Sequence, residues 1–107
     1  MKMNSDQLKQ FKMIAEYGSI TKAAERLYVT QPSLSIALSK LEEEVGRPLF
    51  IRDGRSLRIT EDGKYLLRYA NSVVDLIERA EVYFRAQKHS HYIRLYRIGG
   101  VSLPRLT

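Results

Sequence analysis

The stretch Ser19–Glu44, SITKAAERLYVTQPSLSIALSKLEEE, restricts what this chain can fold into more than any other part of it. It predicts two short helices with a tight junction, the second opening at Thr30-Gln31-Pro32. A threonine there accepts a bond from the free amides of the first turn, and proline tolerates that turn because no intrahelical partner is lost. Beyond it one stripe is apolar: Leu34, Leu38, Leu41 and Val45, spaced four, three and four, with Ala37 beside it. The opposite side carries Pro32, Ser35, Ile36, Ser39, Lys40 and Glu43. A helix that buries one stripe and presents small hydroxyls and a lysine on the other can lie against a duplex. It is the candidate recognition helix.

The preceding segment, Ser19 to Leu27, reads as its partner helix, capped by Thr21 or Ser19. Ile20, Ala24 and Leu27 supply an inner face, and Ala23 and Ala24 are small enough to let the next helix cross closely. Helix, short turn at Tyr28-Val29, and helix with an outward polar face is the helix-turn-helix arrangement. The recognition helix should end near Val45-Gly46, with Pro48 preventing continuation. Glu42, Glu43 and Glu44 oppose the dipole at that end and would repel phosphate. Contact is therefore expected from the half between Gln31 and Lys40, with the acidic end pointing away. Upstream, residues 5–17 predict an amphipathic helix with Ser5 as cap, Asp6 in the first turn, and Leu8, Phe11, Ile14 and Ala15 facing the core.

Downstream, two short apolar segments flank Asp53-Gly54, a hairpin signal because glycine supplies a positive φ. Arg52, Arg55 and Arg58 sit in or beside that turn. A basic hairpin after a recognition helix is a wing, placed to reach phosphates or the minor groove. From Glu61 a helix capped by Thr60 is expected to run to about Lys88. Its apolar positions Leu66, Ala70, Val73, Ile77, Ala80 and Phe84 repeat at four and three, a heptad seam. At ~1.5 Å per residue such a helix is about 40 Å long, more than so small a domain can cover. The seam is thus expected to pair with a second copy, while Leu67, Val74, Leu76 and Tyr83 pack back on the domain. Tyr92 to Gly100 alternates apolar and basic residues and reads as a lone strand.

The chain has 107 residues, enough for one small domain and an appendage, with 18 Lys+Arg against 12 Asp+Glu and a net charge of +6. That surplus favours a polyanion as partner, nucleic acid before membrane. Without cysteine, neither a disulfide framework nor a thiolate metal site is possible. His89 and His91 stand two apart with no further ligands near them. No acid pair, nucleophile motif or glycine-rich phosphate loop accompanies them, so no enzyme, metal or cofactor is expected. No apolar run approaches the ~18 residues of a membrane span. The N-terminus lacks the apolar core of a signal peptide, and the expected location is the cytoplasm.

Phe11, Gly18-Ser19, Ala23-Ala24, Leu27, Gln31-Pro32-Ser33-Leu34-Ser35, Leu41-Glu42, Gly46, Leu49-Phe50, Arg52, Arg55, Thr60 and Gly63 together resemble the N-terminal signature of the LysR-type transcriptional regulators. The resemblance runs from residue 3 to about 88. It implies a mainly α fold with a small β-hairpin: a winged helix-turn-helix over 3–60 (helix-turn-helix 20–39, wing 49–59) and a dimerising linker helix over 61–88. It also implies homodimers on double-stranded DNA at an AT-rich, partly palindromic site. Carried over by position, Gln31 and Pro32 would enter the major groove first. Thr30, Ser33, Ser35 and Ser39 would meet base edges or phosphate, Lys40 phosphate, Thr21 and Lys22 backbone oxygens, and Arg52 and Arg55 the wing contacts. Ile36 departs from the family, which commonly has a basic or amide residue there, and is expected to meet a thymine methyl. Residues 89–107 resemble a vestige of the first strand of an effector domain, so sensing of a small co-inducer is not expected of this chain. The alternative function is that of a truncated partner that dimerises with a full-length regulator and inhibits it without binding DNA itself.

Overall fold

The computed structural model describes residues 1–54 and 56–98, with side chains described as far as Lys88 apart from the same gap. The order of elements is α1 (Ser5–Tyr17), α2 (Ile20–Leu27), α3 (Gln31–Val45), β1 (Phe50–Asp53), β2 (Ser56–Ile59) and α4 (Glu61–Ile98). The three short helices pack on one another, the two strands pair antiparallel, and α4 follows directly.

Each helix start has a local cause. The cap of α1 is Asn4 and not Ser5: its side chain accepts from the Gln7 amide at 2.8 Å, and the Gln7 side chain accepts from the Asn4 amide at 2.9 Å. A glutamine three residues on completes a capping box for Asn4, whereas Ser5 has Leu8 at that distance. Ser19 caps α2 through a bond from the Lys22 amide, which leaves Thr21 exposed in the first turn. Tyr28 then takes a left-handed conformation (φ 57°), and the chain reverses at once into Thr30, the cap of α3. Gly46, at φ 80°, ends α3 where a side chain would be strained.

The core lies where the three helices meet the hairpin. Phe11, Ile14, Leu34, Leu41 and Leu49 are fully buried, and the Phe11 and Phe50 rings stand 5.3 Å apart. Ile20, Ala23, Ala24 and Leu38 complete the inner faces of α2 and α3. Two polar residues hold the hairpin base. Glu42 Oε2 accepts from the amides of Leu49 (2.7 Å) and Phe50 (3.2 Å). Thr60 Oγ1 accepts from the Gly63 amide and donates to the Pro48 carbonyl, capping α4 and pinning it to the hairpin in one contact.

Gly63 is buried at that junction. A Cβ there would lie 2.6 Å from Ile59 Cγ1 and run into the Leu49 carbonyl. Alanine is intrinsically the better helix former by about 1 kcal/mol. Because the obstructing atom is backbone, Gly63→Ala should nevertheless cost about 1–3 kcal/mol. Urea unfolding checks this; equal or greater stability would mean the two segments are not tightly apposed.

The chain divides into two compact units, Met1–Val74 and Asp75–Thr107. The burial of Ala70 corrects one position of the expected seam. In the first unit Ala70 has no exposed surface and belongs to the core, with Leu66 and Val73 packed partly against it. A four-three repeat registers that a helix face is apolar but not whose core covers it. In the second unit the reverse holds. Leu76 and Tyr83, expected to pack back on the domain, are exposed, as are Ile77, Ala80 and Phe84.

A further correction concerns the end of α4. The helix continues past Lys88 to Ile98, where a strand had been expected. An unpaired strand leaves its amides and carbonyls without partners, whereas a helix satisfies its own. Tyr92, Leu95 and Tyr96 fit a helical repeat as well as an alternating one. Gly99 and Gly100 lie outside the described residues.

Candidate nucleic-acid interface

On α3 the anticipated division of faces is present. Leu34, Leu38 and Leu41 are buried, while Gln31, Pro32, Ser33, Ile36, Ser39 and Lys40 are exposed and Ser35 is half-buried. The leucines anchor the helix from behind, so the outward side chains are carried on a rigid element. Two hydroxyls are partly committed. Thr30 Oγ1 accepts from the Ser33 amide and donates to Ser33 Oγ at 2.8 Å. Ser33 therefore keeps its own hydroxyl proton free to donate, whereas Thr30 serves chiefly as the cap.

The start of α3, the start of α2 and the hairpin meet around a cleft of about 110 Å³ lined by Gly18, Ser19, Ile20, Thr21, Gln31, Arg52, Gly54, Ser56 and Leu57. Thr21, Gln31 and Arg52, from three separate elements, thus come together. The strand register explains the arginine. Phe50 pairs with Ile59 and Arg52 with Leu57, so these four share the inner side of the hairpin. Ile51 and Arg58 form the pair that faces the other way. The arginines grouped by sequence are therefore separated: Arg52 belongs to the cleft and Arg58 does not. Arg55 lies outside the described residues. The Asp53↔Ser56 pairing closes the hairpin, with Gly54 at φ 64° in its turn.

The electrostatics favour an anion at this face. Lys22, Lys40 and Arg52 enter no ion pair among the described residues, whereas Lys12, Arg47, Lys64 and Arg79 each have a carboxylate partner. Arg26 is engaged differently. Its Nε donates to the Tyr17 hydroxyl at 2.7 Å and its guanidinium lies over that ring, and this hydrogen bond raises the pKa of the arginine. No acid lies between Gln31 and Lys40. Of the three that follow, Glu42 turns to the hairpin, Glu44 Oε1 accepts from Gln7 Nε2 at 3.4 Å, and Glu43 is exposed. Lys22 is exposed beside Thr21 in the first turn of α2, where the amide ends add positive potential.

From the sequence, Glu42 has only a repulsive part in this site. It is instead the residue that holds the wing against α3. Nothing periodic announces it, since its partners are amides seven and eight positions away. Among the described residues no group of three His, Cys, Asp or Glu could hold a metal, and the side chains of His89 and His91 lie outside them. Among them, too, no helix is long and apolar enough to cross a membrane.

Residues 5–64 match the model of the family described as bacterial regulatory helix-turn-helix protein, lysR family. A probable RuBisCO transcriptional regulator of Guillardia theta is 45% identical over 73 residues, which are 68% of this chain and 24% of that protein. The chain thus spans about a quarter of the length of that relative. Among solved structures, the CbnR DBD–DNA complex superposes with a TM-score of 0.71 at 34% identity, covering 80% of this chain and 99% of that one. The complex of the BenM DBD with catB site 1 DNA gives a TM-score of 0.73 at 31% identity, over 78% of this chain and 93% of that one.

Proposed function

The chain belongs to the lysR family of bacterial regulatory helix-turn-helix proteins, and from that premise we propose that it binds double-stranded DNA sequence-specifically as a homodimer and so regulates transcription. The observation that carries this reading is the cleft in which Gln31, Thr21 and Arg52 converge beside the exposed face of α3. The leading turn of α3 enters the major groove. There Gln31 reads adenine with its amide, and Pro32 packs beside it without competing for the base edge. Ser33, Ser35 and Ser39 supply hydroxyls to base edges or phosphate. Thr21, Lys22, Lys40 and Arg52 hold phosphate oxygens, fixing register without reading sequence. Arg55 belongs to the same wing by its place in the sequence. The site is AT-rich and partly palindromic, one half for each copy of α3. Binding solved for relatives, as in the two DBD–DNA complexes, supports the same mode here.

Separate substitutions divide reading from anchoring. Gln31→Ala should relax base preference at one position, losing about 1–3 kcal/mol of discrimination. Arg52→Ala should weaken all sequences alike and lower the salt slope by about one. Titrations on cognate and scrambled duplexes at several salt concentrations check both; identical effects of the two would remove the division. A second reading draws on the exposed Ile77 and Phe84: the chain pairs with a longer regulator and inactivates it. A chain that dimerises but shifts no duplex in a gel would belong to that reading.

A further inference from the structure

We infer that Ile36 is a specificity-determining residue of the DNA contact, packing its side chain against the 5-methyl group of a thymine in the major groove; the inference rests on duplex binding by α3. Ile36 is 58% exposed although it stands in a well-packed helix. At about 100° per residue it falls opposite the mean direction of Leu34, Leu38 and Leu41. It is therefore at the middle of the outward face and contributes nothing to the core. Its neighbours one turn away on either side, Pro32, Ser33, Ser39 and Lys40, are exposed as well. The position is thus flanked by groups suited to phosphate and base edges, with the isoleucine between them.

The chemistry of that position selects its partner. A sec-butyl group neither donates nor accepts a hydrogen bond. Opposite guanine, adenine or cytosine it would strip water from N7, O6 or an amino group and return nothing. The thymine 5-methyl is the one methyl group that the four standard bases present in the major groove, and the largest apolar group there. Ile36 therefore favours thymine by contact and disfavours the other bases by leaving their polar edges unpaired.

The experiment uses the 107-residue chain. Duplexes are selected from a random pool, and each thymine of the enriched site is then replaced singly by deoxyuridine, which removes only the methyl. For the unsubstituted protein, one thymine in each half-site should be sensitive, its replacement weakening binding about fourfold, as expected for one buried methyl-sized group. Ile36→Ser should still bind but be indifferent to that replacement, and Ile36→Val should keep the sensitivity, excluding a general folding defect. If no thymine methyl matters to the unsubstituted protein, or if Ile36→Ser loses as much as it does, the inference is overturned. Failure of the selection to enrich any duplex would be a different result, overturning duplex binding itself and this inference with it.

Discussion

For the proposed homodimer, replacing Ile77 and Phe84 together by glutamate should leave Met1–Val74 folded, yield monomers and weaken binding to a two-half-site duplex by about 10²- to 10⁴-fold. Both residues are exposed in the single chain, Ile77 by 39% and Phe84 by 55%, and Leu76, Val82 and Tyr83 are exposed beside them. The proposed dimer contact would cover this apolar surface. Glu78 and Glu81 already flank the positions, so two more acids add like-charge repulsion to the lost contact. The effect is expected to be large because, in the proposed homodimer, the second half-site is engaged at the high effective concentration that linkage supplies. Binding to an isolated half-site should hardly change. Sedimentation equilibrium and paired titrations on one- and two-half-site duplexes measure both quantities. A double variant that remained dimeric would show that this segment is not the interface. Ala70 gives the contrast: although it falls in the same repeat, a larger side chain there should unfold the domain, because it has no exposed surface.

Glu42→Ala should destabilise the domain by about 2–4 kcal/mol, since one carboxylate oxygen serves two partly buried amides and alanine leaves both unsatisfied. For a domain of this size each kcal/mol is worth about 4–8 °C, so the thermal midpoint should fall by about 8–30 °C. Glu43→Ala, one residue along and exposed, should stay within about 0.5 kcal/mol. Glu42→Gln keeps an acceptor but loses the charge assistance, and should fall between the two. Thermal melts of the three variants check this ranking, and equal melting of the Glu42 and Glu43 variants would refute the role. Because Glu42 holds β1 beside α3, its loss should also move Arg52 and weaken DNA binding beyond what Arg52→Ala alone does.

Features with a local cause are legible in the sequence. Thr30 caps α3 because a hydroxyl and the following proline suit only a helix start, and Leu34, Leu38 and Leu41 are buried as their spacing requires. The Asp53-Gly54 signal led to a real hairpin, and Gln31 and Arg52 reached a common cleft. The sequence is ambiguous where two local solutions are equally good. Asn4 and Ser5 are both competent caps, and only the Gln7 side chain chose between them. The residues from Tyr92 to Ile98 suited strand or helix, and backbone pairing within α4 decided for helix.

By itself, the order of residues determined the element types as far as Lys88, the buried stripe of each short helix and the polar face that α3 presents. Those depend on spacing of 3.6 or 2 and on caps within a few positions, which the chain carries wherever it goes. Only the tertiary structure decided that Glu42 braces the hairpin, that Gly63 has no room for a methyl, that Arg52 and Arg58 part company, and that Ala70 belongs to the domain's own core. Each of these depends on which surfaces meet, and a surface's partner is not written in its own periodicity.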